Sequence, residues 1–188
     1  MVLAIPSDIG RSGRTAEIFG VIEKFGDRAN GGFWFTAEGQ DPPMHRPKNF
    51  SDDAMPAGNG IAAQALARLG WLTGNMRYLD AAESTVRGGF PSLTRSPQAH
   101  AAMATALEEY LDPVEIVVIR GPAQEAAEWS ASLARTYAPR RMVLAIPSGT
   151  GNLPEALAGK RSRDGTVAYV CRGPQCSEPI TDPANLLR

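Results

Sequence analysis

Apolar residues recur at helical spacing through most of the chain and crowd together at strand density towards its end. Ala16, Phe19, Ile22 and Phe25 stand three apart, which predicts a helix over residues 14–25. Asn30-Gly31-Gly32 stops that pattern, and Phe33-Trp34-Phe35-Thr36 reads as a short strand or hairpin arm. Residues 37–58 show no period. An irregular segment of this length in a compact domain is usually functional or disordered. Three more helices are predicted. One covers residues 60–73, capped by Asn59, with Ile61, Ala65, Leu66, Leu69 and Leu72 inward and Gly74 as its stop. The next covers 76–87, capped by Asn75 and ended by Gly88-Gly89. The last opens at Ser96-Pro97 and runs to about Leu111, lined by Ala99, Met103, Ala106, Leu107 and Tyr110. Short links between helices imply antiparallel hairpins.

The pattern changes at residues 111–113. Residues 114–119 are β-branched and predict a strand, 122–137 a helix, 142–146 a strand, 153–158 a short helix and 166–170 a third strand. Strand–helix–strand order predicts a βαβ unit with one parallel pair. The fold class expected is therefore mixed, helical hairpins followed by a small α/β region. The boundaries are an uncertain segment 1–13, a helical region 14–111 and an α/β region 112–188. One oddity stands outside this scheme: MVLAIPS at residues 1–7 recurs at 142–148. The second copy sits in a strand context, whereas polar and glycine residues follow the first. A misassigned start or a recombination scar is the leading expectation, and a genuine paired strand is the alternative.

Composition narrows the function classes. The 188 residues carry 19 Lys and Arg against 20 Asp and Glu, a formal net charge of −1. That balance argues against a general binder of nucleic acid or of anionic membranes. Hydrophobic residues make up 43%, too many for a disordered chain. No apolar run reaches the length of a membrane-spanning helix, and residues 1–7 lack the basic flank of a signal peptide. A cytoplasmic location is expected.

Three constellations could carry chemistry. The loops Arg120-Gly121-Pro122 and Ser148-Gly149-Thr150-Gly151-Asn152 each follow a strand and precede a helix, where an anion could be seated. Neither has the dinucleotide fingerprint, and Arg161 stands where a P-loop needs Ser or Thr, so ordinary β–α turns are the expectation. Cys171 and Cys176 are spaced C-x4-C with no second ligand pair for zinc. Two thiols in a turn, one of them buried, is the expected state; a reversible disulfide and half of a metal site are the alternatives. The segment 38–59 gathers Glu38, Asp41, His45, Arg46, Lys48, Asp52, Asp53 and Asn59 behind the aromatic run. Aromatic rings stack on sugar faces and carboxylates do acid–base work, so this composition suits a sugar site. A solvated loop over an aromatic core would read the same way.

The stretches Gly31-Gly32-Phe33-Trp34-Phe35-Thr36-Ala37-Glu38, Arg46-Pro47-Lys48 and Asp53-Ala54-Met55-Pro56-Ala57-Gly58-Asn59-Gly60, with the tail Ala168-Tyr169-Val170-Cys171 and Cys176-Ser177-Glu178-Pro179-Ile180-Thr181-Asp182-Pro183, form an ordered set. Together they resemble the C-terminal part of the YyaL-type thioredoxin-domain-containing proteins, spermatogenesis-associated type. The resemblance runs from about Ala16 to the C-terminus. It implies a long protein in which a thioredoxin-like domain precedes an (α/α)6 toroid similar to six-hairpin glycosidases and N-acylglucosamine 2-epimerases. This chain departs from that plan. It has no C-x-x-C motif and only part of a toroid's helices, and Ala57 and Gly60 stand where the pattern usually has Ser. A start within a fragmentary gene is the expectation for Met1, with a truncated form as the alternative.

The resemblance nominates Asp53 and Arg46 as catalytic groups and Trp34, Lys48 and Asn59 as substrate-binding ones. His45 joins the catalytic candidates on its residue type, since an imidazole could act as a general base near neutral pH, although the family pattern more often has an apolar residue there. Asp53 would be an acid–base carboxylate or an anchor for sugar hydroxyls. Cys171 and Cys176 are the nominated redox pair. No metal and no cofactor are expected. For the chain by itself the leading expectation is a part of a larger protein without catalysis of its own, because an incomplete ring cannot wall a pocket. A carbohydrate-active enzyme and a thiol redox protein are the alternatives. Partners expected are a carbohydrate ligand in the full-length parent and self-association through exposed helix faces, with no nucleic acid and no membrane.

Overall fold

The computed structural model describes residues 2–4, 12–40, 45–162 and 164–186, with side chains from Ile18 onward. Its class is the mixed one expected: helices first, then a small α/β region. The chain divides into two compact units. The helical unit holds Ser12–Trp71 and Asn75–Pro113, and the sheet unit holds Met1–Arg11, Leu72–Gly74 and Val114–Arg188.

The helical unit contains α1 (Ser12–Phe25), α2 (Gly58–Thr73), α3 (Met76–Arg95) and α4 (Ala101–Leu111). Its core has two centres. Leu66, Ala67, Tyr78 and Ala82 pack with Ile18, Phe19, Ile22 and Phe33, and the rings of Phe19 and Tyr78 stack at 5.1 Å. Ala63, Val86, Leu93, Met103 and Ala106 form the second centre with Phe50 and Leu107. Arg68 and the buried Glu109 tie α2 to α4 by two charge-assisted hydrogen bonds of 2.7 and 2.5 Å.

Four expectations need correction here. Residues 33–36 are not a strand: Phe33 makes only an isolated bridge to Gly26. Gly31 and Gly32, with φ of 75° and 79°, turn the chain, and the Asn59 side chain takes both backbone groups of Phe33. Asn59 is therefore no N-cap; it lies inside α2, which begins one residue earlier. Gly88-Gly89 does not end α3, which runs on through Pro91 to Arg95. A Cβ on Gly88 would lie 2.6 Å from the Asn30 carbonyl oxygen, and one on Gly89 2.9 Å from Met103 and Phe50. The two glycines let neighbouring groups approach a continuous helix. The last helix is split at His100 into a 3-10 turn, Pro97–Ala99, and α4. The Asp52 carboxylate receives the Ala102 N–H at 2.9 Å and so opens α4 as a separate helix.

The sheet unit has strands β1 (Val2–Ala4), β2 (Glu115–Gly121), β3 (Arg141–Pro147), β4 (Val167–Arg172) and β5 (Gln175–Cys176), in the order β1-β3-β2-β4-β5. Strand β2 is buried almost throughout and pairs in parallel with β3, from Glu115↔Arg141 to Gly121↔Pro147. Helix α5 (Ala123–Leu133) makes the crossover and ends before residue 137, and α6 (Glu155–Ala158) is a single turn. On one face Val117, Ile119, Val143 and Ala168 pack with Ala126 and Leu133 of α5. Strand β4 runs antiparallel to β2, so the βαβ unit carries an antiparallel neighbour that helix–strand alternation does not disclose. Gly173-Pro174 then forms the two-residue turn into β5, with Gly173 at φ 57°.

The duplicated sequence forms paired strands. Val2, Leu3 and Ala4 lie in parallel register against Val143, Leu144 and Ala145. Val2–Ala4 of the first copy are thus a strand of the sheet, the pairing that the alternative reading of the repeat expects. Residues 1 and 5–7 of that copy, and Asp41, lie outside the described residues.

Candidate functional site

The segment between α1 and α2 is held by side chains reaching back into it. Asn59 is buried, and each of its polar atoms is engaged. Its Oδ1 accepts the Phe33 N–H at 2.6 Å, and its Nδ2 donates to the carbonyls of Phe33 at 3.0 Å and Asn49 at 2.9 Å. Lys48 Nζ donates to Asp27 Oδ2 at 2.6 Å and to the Gly31 carbonyl at 2.9 Å. The same ammonium stands 4.8 Å from the Trp34 ring centroid and 5.7 Å from that of Phe50. The lysine beside Asp27, joined by hydrogen bonds from Asn30 and Ala29, holds that carboxyl well below the usual range against the opposing effect of burial. Arg46 donates from Nη2 to the Thr36 carbonyl at 2.8 Å and sits 5.3 Å from the Trp34 centroid. Trp34 is thus the meeting point of two cations, and Arg46, Lys48 and Asn59 all bind the backbone of the segment they were nominated to serve.

The adjacent aspartates take opposite positions. Asp52 turns inward: Oδ1 accepts the Ala57 N–H at 2.7 Å, and Oδ2 accepts the Ala102 N–H. Burial raises its pKa, but the N–H groups of Ala57, Ala102 and Ala101, with the nearby His100, prevail and lower it. Asp53 and His45 are exposed. Asp53 stands on the rim of an open cleft of about 590 Å³, walled by Phe33, Trp34, Phe35, Met55 and Pro56. Phe35 and Met55 are 82% and 77% exposed, a large apolar display for one cleft. Asp53, Trp34 and Asn59 share this cleft; Arg46, Lys48 and His45 do not line it.

Sequence reasoning passed over Asp27 and Phe35. The signal for Asp27 was absent, because its partner Lys48 is 21 residues away. Phe35 could have been found from its place in the aromatic run. The resemblance points to Asp53, and adjacency in an irregular segment does not tell which of Asp52 and Asp53 turns inward.

In the sheet unit Cys171 and Cys176 face each other across the β4–β5 hairpin and form a disulfide. This corrects the expectation of two free thiols. Residue pairing across a two-residue turn brings the cysteines together, a geometry that the five-residue separation alone does not show. Among the described residues no group of three or more His, Cys, Asp or Glu could hold a metal ion, and no helix is long and apolar enough to cross a membrane.

No family model matches the chain. It is 30% identical over 170 residues to human spermatogenesis-associated protein 20, covering 84% of this chain and 21% of that protein. The rat protein of the same name is 30% identical over 169 residues, with the same coverage, and the mouse protein is 29% identical over 167. The chain is therefore similar to spermatogenesis-associated protein 20 over most of its own length, and it spans about a fifth of the length of the proteins it matches.

Proposed function

We propose that the helical unit binds carbohydrate, without catalysis of its own, as the C-terminal part of a toroid in a longer YyaL-type protein. The observation that carries this reading is the cleft at Asp53, where exposed Phe35 and the ring of Trp34 lie beside a carboxylate. Aromatic walls offer the apolar faces that pyranose rings stack on, and the carboxylate accepts hydroxyl protons. Glycosidic cleavage ordinarily needs a pair of carboxylates flanking the bond, and among the described residues Asp53 alone brings one to this cleft. Recognition without turnover is the reading that fits both facts. The test is titration of the full chain with N-acetylglucosamine, glucose and cellobiose, read by tryptophan fluorescence and by chromatography of the sugars. Saturable binding that is lost in Phe35→Ala and weakened in Asp53→Ala, with sugars recovered unchanged, is the expected result. Absence of binding to all three sugars sinks the proposal, and conversion of any of them moves it to the enzyme reading.

A thiol role has one observation in its favour, the disulfide between Cys171 and Cys176. In the cytoplasm, where we place the protein, thiols are held reduced, so a pair that closes there is a transient, redox-sensing one. Thiol counting across glutathione buffers of graded poise decides this reading: a midpoint below the cytosolic range removes it.

A further inference from the structure

We propose that the sheet unit carries an anion-binding site built on Arg120, suited to the tetrahedral dianion of phosphate or of a phosphate monoester. Arg120 is the last residue but one of β2 and only 6% exposed. Its Nε and Nη1 are both buried and have no hydrogen-bond partner among the described residues. A buried guanidinium left in that condition is costly unless something completes it, since an arginine cannot shed its charge at ordinary pH. Successive side chains of a strand point to opposite faces. Ile119 joins the α5 face, so Arg120 points to the other one.

That other face is where a cleft of about 440 Å³ opens, lined by Arg120, Ser148, Thr150, Asn152 and Arg161. Two guanidinium groups and the three hydroxyls of Ser148, Thr150 and Ser162 line it, and no carboxylate does among the described residues. The placement has a physical logic. The loops after β2 and β3 leave the sheet side by side at the carboxyl ends of two parallel strands, and the Ser148 N–H donates to the Gly121 carbonyl at 2.9 Å to join them. Crevices outside the carboxyl ends of parallel strands are where α/β sheets hold ligands. The glycine-bearing loop Ser148-Gly149-Thr150-Gly151-Asn152 turns there, with Asn152 in the left-handed region at φ 53°. Burial also lowers the pKa of Arg120 from its ordinary value, the direction expected of a cation whose counter-charge is missing. A planar fork of N–H donors matches the oxygens of phosphate in pairs, and Arg161 at the mouth adds a second cation for a dianion. The cleft exceeds the volume of a bare phosphate, so a small phosphorylated metabolite fits its size.

The experiment is calorimetric titration of the full chain with inorganic phosphate, glucose 6-phosphate and glucose, against sodium chloride of matched ionic strength. Phosphate and glucose 6-phosphate are expected to bind and glucose and chloride are not. Arg120→Met is expected to weaken binding by on the order of tenfold or more while leaving the variant at least as stable to heat as the wild type. Tighter binding of glucose 6-phosphate than of phosphate assigns the site to a monoester, and the reverse assigns it to the free ion. If Arg120→Met does not fold, Arg161→Ala, an exposed position, must weaken phosphate binding several-fold with no change in melting temperature without phosphate. The proposal is overturned if neither phosphate compound binds above the chloride control, or if affinity is unchanged in both variants.

Discussion

The ammonium of Lys48 and the carboxylate of Asp27 meet at 2.6 Å, with side chains 13% and 7% exposed. This pair anchors the irregular segment to the end of α1, and its loss leaves a charge stranded. Lys48→Met is expected to cost about 3 kcal/mol, the lower part of the range for breaking a buried pair, because some of the lysine still reaches water. Lys48→Met combined with Asp27→Asn should recover part of that loss. Asp27 has a folded pKa well below its ordinary 3.8, so the folded chain releases this proton more readily than the unfolded one. Its contribution is therefore complete above about pH 5 and fades as pH falls through 3.8 towards the folded value. Urea unfolding of wild type and Asp27→Asn between pH 7 and pH 3 measures this, and parallel pH curves would refute it.

Asp52 joins two elements by its two oxygens. Asp52→Ala is expected to destabilise by about 1–2 kcal/mol through loss of the cap on α4 and of the Ala57 bond. Asp52→Asn, which retains one acceptor oxygen, should cost less. Asp53→Ala, one residue on and exposed, should be close to neutral. Chemical denaturation of the three variants distinguishes the structural aspartate from the cleft aspartate, and equal losses at both positions would contradict the assignment.

Helix glycines give a matched pair of opposite signs. Gly20 in α1 has open space where a Cβ would go, so Gly20→Ala should stabilise by about 0.5–1 kcal/mol. Gly88 in α3 faces the Asn30 carbonyl at 2.6 Å, so Gly88→Ala should destabilise by about 1–3 kcal/mol in spite of its better helix propensity. Thermal melts suffice, and a Gly88→Ala that melts above wild type would show that the contact yields easily.

Reducing the hairpin bond should lower stability by about 2 kcal/mol, the entropic value for so short a loop. The released thiols should differ. Cys171 is 6% exposed and Cys176 is exposed, so iodoacetamide should mark Cys176 first. Peptide mass spectrometry after timed quenching reads the order, and simultaneous labelling would mean that the hairpin opens on reduction.

Periodicity disclosed what depends on neighbours in sequence. The apolar stripe of α1, the Asn75 cap on α3 and the β-branched run of β2 were legible because each is decided within a few residues. What escaped was decided by distant partners. Gly88-Gly89 carries a stop signal, yet Asn30, Phe50 and Met103 pack where a side chain would be and the helix continues. Asn59 has a capping side chain, yet Phe33 and Asn49 claim it. The 96–111 helix reads as continuous, yet Asp52 begins it afresh at Ala101. The cleft at Asp53 was legible as composition, aromatics beside carboxylates, but not as geometry. Of the nominated polar residues, Arg46, Lys48 and Asn59 turn hydrogen bonds onto the segment's own backbone. Arg120 was legible as the start of a loop that could seat an anion, but its burial was not: one arginine ending an apolar run reads as a strand end, not as a buried cation.

The two copies of MVLAIPS make the outer edge of the sheet self-matching. The strand on that edge, β1, has the sequence of Val143–Ala145 in β3, the strand it covers, and the matching residues lie parallel and in register. Identical strands stacked in this way are the arrangement of a cross-β fibril, reduced to its first two layers. Any further strand of the same sequence, from another copy of the chain or added as a free peptide, would meet at β1 the surface that β1 meets at β3. The repeat also supplies its own limit. A proline follows the isoleucine in each copy, and with no N–H it cannot donate to a ladder at that position.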